Sequence, residues 1–373
     1  MTVVLTGGGT GGHIYPALAI GEALERRGAS LLFIGNETGL EATLVPKHGV
    51  PFCGIVTKGF GPHGVKEVVA GTHAVIRGML QANRLLRLNH VEAVVGTGGY
   101  AGASVVLAAG LRRMPVVLHE PNAVAGKANR WLSLFAGRVS LGFQEGAALL
   151  PSHKCVVTGV AVRTPAVPDR AEARLRCGLS EERPTLLVVG GSQGAVALNE
   201  STMAALDGIE RMGFQVLHQT GPKHFEGRSR AEMARRPWYR AVPYIEDMTA
   251  AYVAADVAVC RAGASTVAEV ALYGLPTIFV PFPHAADDHQ RANAGIYERA
   301  GAARMLEQAE LSSEALCAQV ATLAQPGQRD AMRQRLKAFA RPNAADDVAR
   351  LALALAGHDQ GGLLSSEAER VLS

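Results

Sequence analysis

The fold is decided near the start of the chain, by the stretch Leu5-Thr6-Gly7-Gly8-Gly9-Thr10-Gly11-Gly12-His13. The apolar run 3–5 predicts a strand, and residues 16–24 have the apolar spacing of a helix. A strand, a glycine loop and a helix N-terminus together form a site for a phosphate or another polar group. The glycines also match the dinucleotide fingerprint G-x-G-x-x-G. The stretch therefore predicts either a nucleotide-related site or simply a tight strand-to-helix turn.

Size and composition predict two α/β domains. The chain has 373 residues, more than the roughly 250–300 at which single hydrophobic cores stop growing. Hydrophobic residues make up 48% of it and charged residues 19%, which is typical of well-buried globular domains. The formal net charge of +4 is too small to indicate a nucleic-acid partner. It is compatible with clustered positive charge that contacts anionic lipid or phosphate.

The cysteines and the apolar stretches indicate a protein that does not cross a membrane. The five cysteines are scattered and no two are spaced C-x-x-C, so we expect reduced thiols in a cytosolic protein. No basic leader precedes the first predicted strand, so we expect no signal peptide. The longest apolar stretches, 101–111 and 270–283, are shorter than the roughly 18–20 residues that a membrane-spanning helix requires.

Predicted strands alternate with helical patterns along the chain, which indicates parallel sheets. In the first half the predicted strands are 3–5, 31–34, 91–96, 116–119, 139–141 and 155–158, and the proline-rich stretch 165–168 predicts a linker. A second series has strands at 185–189, 214–219, 241–244, 257–260, 277–280 and 303–305, and a helix at 197–206. We expect two doubly wound domains that face a cleft, each with a glycine loop after its first strand.

Three further motifs follow predicted strands. The glycine cluster 96–103 predicts either close helix–strand packing or a turn that faces a ligand. His119-Glu120-Pro121-Asn122 predicts either hydrogen-bonded packing residues or functional ones. Gly190-Gly191-Ser192-Gln193-Gly194-Ala195 is the strongest of the three. Its amides and the Ser192 hydroxyl would hold a diphosphate at a helix N-terminus, which carries roughly half a positive charge.

Two motifs lie nearer the C-terminus. In the stretch 260–269, Ser265 or Thr266 with Glu269 predicts a capping box, or else a turn that admits a phosphate while Glu269 binds a ribose diol. The polar run 283–293 favours a ligand-binding loop over a purely internal hydrogen-bond network. The sequence has neither an H-E-x-x-H metal motif nor a G-x-x-x-x-G-K-[ST] phosphate loop, so we expect no metal site and no P-loop ATPase.

Taken in order, these motifs resemble the MurG family, bacterial glycosyltransferases that make lipid II by adding N-acetylglucosamine to lipid I. The resemblance covers about residues 2–356 and includes the loop Asp287-Asp288-His289-Gln290-x-x-Asn293. It implies the α/β GT-B fold, with two Rossmann-like domains. The implied parts are an acceptor-binding, membrane-associating domain at 1–162, a UDP-GlcNAc-binding domain at 163–341, a last helix at 342–357 that packs on the first domain, and a polar tail at 358–373.

The resemblance also implies which residues bind the donor. The backbone of Ile245 would meet uracil, and Glu269 would bind the ribose hydroxyls. The other implied donor residues are Ser192, Arg163, Ala264, Ser265, Thr266, Val267 and Ala268 around the diphosphate, and Gln290, Asn122, Thr10, Gly11 and Gly12 around the sugar. The family often has Gly-Asn-Pro-Val-Arg where this chain has Gly159-Val160-Ala161-Val162-Arg163, so the turn differs while the arginine is retained.

The implied reaction inverts the α-linked donor to a β-1,4 link, with no metal and no cofactor. The C4 hydroxyl of the acceptor's N-acetylmuramic acid would attack in line through an oxocarbenium-like state. The helix N-terminus behind Ser192, with Arg163, would stabilise the departing UDP. His13 is predicted to be the catalytic base, because an unperturbed histidine titrates near pH 6.5. Its alternative role is to orient the acceptor diphosphate.

Because the acceptor hangs from a polyprenyl chain, we expect a peripheral protein on the cytoplasmic face of the inner membrane. Other cell-wall synthesis proteins would be further partners, in a process linked to cell shape and division. The stretch 64–90 is rich in apolar residues, and Lys66, Arg77, Arg84 and Arg87 face a single acid, Glu67. It predicts an amphipathic helix that packs on the sheet, contacts anionic lipid, or does both.

Three rival functions stay open at this point. The first is a nicotinamide-dependent oxidoreductase that uses the first glycine loop and Glu37, but it leaves the Ser192 loop and the 287–293 loop unexplained. The second is a related glycosyltransferase with diacylglycerol or a natural-product aglycone as acceptor. The third is a sugar-nucleotide sensor without enzymatic activity.

Overall fold

A computed structural model describes residues 1–57 and 65–358 of the chain. The contacts divide it into two compact units, Met1–Arg163 with the residues from Arg341 onwards, and Thr164–Ala340. Arg163 and Arg341 therefore belong to the first unit, whereas the sequence placed both in the second domain. The reason is local: Arg163 pairs with Glu22, and Arg341 packs so closely on Gly159 that a β-carbon there would lie 2.6 Å from the arginine side chain.

The first unit is built on a seven-stranded parallel sheet with strand order 3-2-1-4-5-6-7. Its strands are β1 (Thr2–Thr6), β2 (Ser30–Asn36), β3 (Phe52–Ile55), β4 (Val91–Gly96), β5 (Val116–Glu120), β6 (Arg138–Leu141) and β7 (Cys155–Val157). The sequence missed β3, which is a short edge strand with a glycine inside it and has no alternating pattern to reveal it. The six other strands lie where they were predicted, with ends that differ by at most two residues.

Helices cover both faces of this sheet. They are α1 (Gly11–Glu25), α2 (Leu40–Lys47), α3 (Val65–Leu88), α4 (Gly99–Leu111), α5 (Lys127–Leu132) and, from the end of the chain, α15 (Ala344–Leu355). Side chains alternate along a strand, so Val3 and Leu5 of β1 join the core beneath α1 and α15, while Val4 joins the core beneath α3–α5. No helix in the described parts of the chain is both long and apolar enough to span a bilayer.

The second unit repeats the architecture with a six-stranded parallel sheet. Its strands are β8 (Thr185–Val189), β9 (Gln215–Gln219), β10 (Tyr239–Val242), β11 (Val257–Cys260), β12 (Thr277–Phe279) and β13 (Arg304–Met305), in the order 10-9-8-11-12-13. Its helices are α6 (Arg170–Arg176), α7 (Val196–Arg211), α8 (Pro222–His224), α9 (Arg230–Arg235), α10 (Met248–Ala254), α11 (Ala264–Leu272), α12 (His289–Arg299), α13 (Ser313–Ala324) and α14 (Pro326–Leu336). β10 begins two residues before the predicted strand because Tyr239 buries its ring there.

Each sheet has one point where the strand order reverses. In the first unit it lies between β1 and β4, and in the second between β8 and β11. Ligands of doubly wound folds bind at the carboxyl ends of the strands beside such a point. The loops that follow these four strands contain the predicted glycine motifs, so each unit brings two motifs together at one edge.

Candidate active site

In the first unit, the loops after β1 and β4 pack directly on each other. A β-carbon on Gly7 would lie 2.0 Å from the Thr97 hydroxyl oxygen, and one on Gly99 would lie 2.4 Å from the Gly8 carbonyl oxygen. Gly99 also has a φ of +84°, a conformation that favours glycine. The 96–103 cluster is therefore explained by close packing, which supports the first of its two predicted interpretations.

The same contact fixes the ring of His13. Its Nδ1 lies 2.7 Å from the Thr97 carbonyl oxygen, and the Thr97 hydroxyl donates to the His13 carbonyl at 2.7 Å. A carbonyl oxygen only accepts, so Nδ1 carries the proton and the lone pair of the neutral ring lies on Nε2. His13 is partly buried, and its neighbours Thr10 and Gly12 are exposed at the start of α1. This tautomer is the one that a base acting through Nε2 requires.

A buried carboxylate, which the sequence analysis missed, supports the first glycine loop. Glu41 is 1% exposed, and its two oxygens accept the N–H groups of Gly9 at 3.2 Å and Asn36 at 3.0 Å. In a dinucleotide site the pyrophosphate takes such loop amides. A carboxylate in that place repels the pyrophosphate, which argues against the nicotinamide interpretation. The only sequence signal is that Glu41 shares the buried face of α2 with Val45, four residues on.

His119 is a packing residue at the end of β5. The ring is fully buried, and its Nε2 accepts the Ala161 N–H at 3.2 Å. Nδ1 must therefore donate to the Ser140 hydroxyl, 2.8 Å away, and Ser140 is in turn 2.7 Å from the Thr158 hydroxyl. Burial lowers the pKa of His119 to about 3 and keeps the ring neutral. His119 thus ties the chain after β7 to the sheet.

Glu120 organises the loop that carries Asn122. One carboxylate oxygen accepts both the backbone N–H of Asn122, at 3.0 Å, and its side-chain amide, at 3.2 Å. The other oxygen accepts the Gly126 N–H and the Asn129 amide, each at 2.9 Å. Of the His119–Asn122 motif, Asn122 is the partly exposed residue, held in place by its buried neighbour.

Arg163, predicted to hold the diphosphate, is the last residue before the second unit. Its guanidinium is exposed and pairs with the Glu22 carboxylate of α1. An exposed ion pair of this kind contributes little to stability, about 0–1 kcal/mol, so a ligand phosphate competes with Glu22 at small cost.

In the second unit, the loop after β8 is held by the end of β9. A β-carbon on Gly194 would lie 1.9 Å from the Thr220 carbonyl oxygen, and one on Gly221 would lie 2.1 Å from the Gln193 carbonyl oxygen. Both glycines have positive φ, +76° and +87°. Ser192 is exposed, and α7 begins after Ala195 without a side-chain cap. The arrangement suits an anion at the N-terminus of α7.

Gln219 links this loop to the predicted uracil contact. The side chain is 2% exposed; its amide donates to the Gly191 carbonyl at 2.9 Å and its oxygen accepts the Ile245 N–H at 2.8 Å. The Ile245 N–H is therefore already bonded inside the protein, so we expect the carbonyl of Ile245 to meet the base. Sequence reasoning missed Gln219, although a polar residue at the end of an apolar strand is a usable signal.

α11 begins after Gly263, and no side chain caps it. The capping box predicted from Ser265, Thr266 and Glu269 is therefore wrong, because the helix starts earlier than the box requires. Val267 lies in the core and its N–H donates to the Gly263 carbonyl at 3.0 Å. Ser265 and Thr266 are partly exposed in the first turn, after the buried Ala264, and Ala268 is partly exposed one turn on. Within the predicted set, Ser265, Thr266 and Ala268 are thus the partly exposed residues, and Ala264 and Val267 are buried.

Glu269 has an unusual environment for a carboxylate. It is partly buried, and one oxygen accepts the Tyr252 hydroxyl at 2.7 Å. Tyr252 itself stacks on Tyr273, with ring centres 5.3 Å apart. Burial raises the pKa of Glu269 to about 7, and the bond from Tyr252 partly opposes that rise. This carboxylate therefore changes charge near neutral pH.

The predicted polar loop 283–293 is a loop only as far as Asp288, because α12 begins at His289 and contains both Gln290 and Asn293. The Gln290 side-chain oxygen accepts the Phe282 N–H at 3.0 Å, and the Asn293 amide donates to the Ala262 carbonyl at 3.2 Å. Just before this helix, Asp287 and Asp288 have φ of +50° and +54°, which are uncommon values for residues other than glycine. Such strained positions concentrate at ligand-binding and active sites.

The comparisons with known proteins agree with this geometry. The glycosyltransferase family 28 N-terminal domain matches residues 3–141, and the family 28 C-terminal domain matches residues 185–348. A protein of Alkalilimnicola ehrlichii is 40% identical over 362 residues, which cover 95% of this chain and 98% of that protein. Its name is UDP-N-acetylglucosamine–N-acetylmuramyl-(pentapeptide) pyrophosphoryl-undecaprenol N-acetylglucosamine transferase. The crystal structure of Acinetobacter baumannii MurG is 33% identical, with a TM-score of 0.75 over 95% of this chain and 99% of that one. The chain belongs to the MurG family.

One more relative and one structural neighbour match over nearly the whole length. The transferase of Desulforudis audaxviator, which has the same name, is 38% identical over 373 residues, covering 96% of this chain and 99% of that protein. The calicheamicin glycosyltransferase CalG4 is 17% identical with a TM-score of 0.68, and covers 96% of this chain and 99% of its own, a likeness of fold alone. The predicted GT-B fold and glycosyltransferase class are confirmed.

Proposed function

We propose that this glycosyltransferase adds N-acetylglucosamine from UDP-N-acetylglucosamine to lipid I and so makes lipid II. The observation that carries the proposal is similarity along nearly the whole chain to transferases named for this reaction. The two edges built from glycine loops, one in each unit, offer separate sites for an acceptor and a donor.

The donor's place is the edge of the second unit between β8 and β11. The N-terminus of α7 with Ser192 suits the diphosphate, and the first turn of α11 suits a second phosphate contact. The carbonyl of Ile245 and the carboxylate of Glu269 are acceptors for uracil N3–H and the ribose diol. We assign the sugar to Gln290, whose side-chain oxygen accepts the Phe282 N–H.

The chemistry that we assign to the chain is inverting and independent of metal. In an inverting transfer the acceptor hydroxyl attacks the anomeric carbon opposite the departing UDP. The leaving diphosphate gains negative charge as the bond breaks. The partial positive charge at the N-terminus of α7 opposes that charge, so the helix stabilises the transition state.

His13 is our candidate for the catalytic base. The bond from Nδ1–H to Thr97 presents Nε2 as the basic atom, as proton abstraction from the acceptor hydroxyl requires. In the alternative role, a protonated His13 orients the acceptor diphosphate. The two roles differ in their effect: loss of a base lowers kcat, whereas loss of an orienting contact raises KM for the acceptor.

The first unit provides a surface for the bilayer that holds the acceptor. Along α3, Ala82 and Leu86 are buried in the core, whereas Ile76 and Leu80 are 48% and 61% exposed. Three arginines of the same helix, Arg77, Arg84 and Arg87, are also exposed. One helix therefore packs on the sheet by one face and offers apolar and basic side chains on another, which suits peripheral binding to anionic lipid at the cytoplasmic face.

Co-sedimentation with anionic liposomes tests this surface. We expect the double variant Arg84→Glu/Arg87→Glu to lose most of the binding. The matched control is Arg299→Glu/Lys337→Glu, which makes the same change of net charge at exposed positions of the second unit. Equal binding by all three proteins would dismiss the basic surface of α3.

The reaction itself is tested by transfer of radiolabelled N-acetylglucosamine from its UDP donor to a short-chain lipid I analogue, with and without EDTA. We expect labelled product in both. Absence of product overturns the assignment, and product lost only with EDTA overturns the metal-free mechanism. Titration with NADH tests the oxidoreductase alternative. We expect no binding, because the Glu41 carboxylate leaves no favourable site for the pyrophosphate. Diacylglycerol offered in place of lipid I tests the alternative that the enzyme glycosylates another lipid acceptor.

A further inference from the structure

We propose that Gln219 is a positioning residue that fixes the base-contacting loop to the diphosphate loop and thereby sets the preference for uracil. The inference rests on the proposed function and extends it to a residue that does not itself touch the donor. Gln219 stands at the carboxyl end of β9, beside β8, whose following loop holds the diphosphate in the proposed function.

The orientation of the Gln219 amide is determined by its partners. The Gly191 carbonyl only accepts and the Ile245 N–H only donates, so the side-chain nitrogen must face Gly191 and the oxygen must face Ile245. The two bonds, 2.9 and 2.8 Å long, join residues that are 54 positions apart in the chain. These residues lie in two loops, outside the paired strands of the sheet. The buried amide thus acts as a rigid link between them.

The glycine loop after β8 is also held by contacts other than Gln219, whereas the Ile245 N–H is held by the bond to Gln219. Gly194 and Gly221 hold the glycine loop against β9 without room for a β-carbon. Asn199 of α7 adds a bond to the Thr220 carbonyl at 2.8 Å. Ile245, by contrast, lies three residues beyond the end of β10, where the pairing of β10 with β9 has ended. Gln219 therefore holds the Tyr244–Ile245 peptide and occupies the Ile245 N–H.

That orientation decides which base edge is accepted. With its N–H occupied by Gln219, Ile245 has only its carbonyl to offer the base, and a carbonyl accepts a hydrogen bond from uracil N3–H. Cytosine has a lone pair at N3, so two acceptors would face each other and one buried polar group would lose its partner. Sites built on such a contact reject the mismatched ligand strongly. If the link is removed, the Ile245 N–H loses its acceptor and becomes a donor that cytosine N3 can use, so the distinction between the bases weakens.

The test compares the affinities of UDP and CDP, measured by calorimetry, for the full chain and two variants. Gln219→Met keeps the length of the side chain and removes both bonds. We expect it to weaken UDP binding about tenfold, which is about 1.4 kcal/mol, and to leave CDP binding nearly unchanged. The ratio of the two affinities therefore falls about tenfold.

The matched control is Gln215→Met, at the opposite end of the same strand. Gln215 is also a buried glutamine, and its amide donates to the Ser180 and Arg183 carbonyls and to the Thr185 hydroxyl. It lies at the amino end of β9, away from the proposed donor edge. We expect Gln215→Met to lower the unfolding temperature without changing the UDP-to-CDP ratio.

Every outcome is decisive. A fall in the ratio confined to Gln219→Met supports the inference. An equal loss of UDP and CDP affinity, or the same change in both variants, overturns it and leaves the proposed function intact. Failure of the unaltered chain to bind UDP overturns the proposed function as well. If Gln219→Met does not fold, Gln219→Leu carries the same test, because it also removes both bonds.

Discussion

The affinity for the donor should depend on pH through Glu269. Burial raises the pKa of this carboxyl to about 7, and the Tyr252 hydroxyl donates to one of its oxygens. A ribose diol donates hydrogen bonds to an ionised carboxylate, so binding favours the charged form. Tyr273 and Cys260, the other groups that face Glu269, both stay neutral near pH 7 because their own pKa values are raised. Glu269 is therefore the group of this cluster that titrates in the working range.

The size of the effect follows from the pKa. A group with a pKa of about 7 is ionised in roughly one molecule in eleven at pH 6 and in roughly ten of eleven at pH 8. If the complex needs the carboxylate, the affinity for the donor rises about tenfold over this interval, or about 1.4 kcal/mol. Most of the rise falls between pH 6 and 7, below the pKa.

Calorimetry with UDP-N-acetylglucosamine measures this directly, because both phosphates of the sugar nucleotide stay singly charged in the range. Glu269→Gln is the control, and we expect it to bind weakly with no dependence on pH. Tyr252→Phe removes a bond that favours the ionised form, so its transition should move to higher pH. A flat profile in the unaltered chain, or an unchanged slope in Glu269→Gln, would refute the reasoning.

Three further predictions concern stability and turnover. The pKa of Glu269 is raised from 4.5 to about 7 in the folded protein, so the protonated carboxyl adds to the free energy of unfolding. This contribution is complete below about pH 4.5 and is lost as the pH rises to 7. In urea unfolding, the free energy of unfolding of Glu269→Gln should therefore exceed that of the unaltered chain by up to about 3 kcal/mol at pH 8 and by nothing at pH 4. An equal difference at both pH values would contradict the burial argument. His13→Ala should lower kcat by about 10²–10⁴-fold with little change in donor affinity, and near-normal turnover would exclude both proposed roles. Glu41→Gln leaves one of two partly buried N–H groups without a good acceptor, so its free energy of unfolding should fall by about 1 kcal/mol, measured by the same method.

The sequence determined the architecture because periodicity and glycine placement are local properties. Buried parallel strands are short apolar runs, and each was predicted except β3, where a glycine interrupts an edge strand of four residues. The turns after β1 and β8 were identified because glycine readily adopts the positive φ that they contain, at Gly9, Gly191 and Gly194. The ordered set of motifs was specific enough to indicate the MurG family, which the full-length relatives confirmed.

Tertiary structure decided what each polar side chain does, because that depends on partners distant in sequence. His119 and Glu120 turned out to be buried supports, since their partners come from β6, the chain after β7 and the loop after β5. Glu41 and Gln219 have no motif of their own. Their roles arise only when folding brings a carboxylate beneath Gly9 and an amide between Gly191 and Ile245, pairings that no spacing in the sequence encodes.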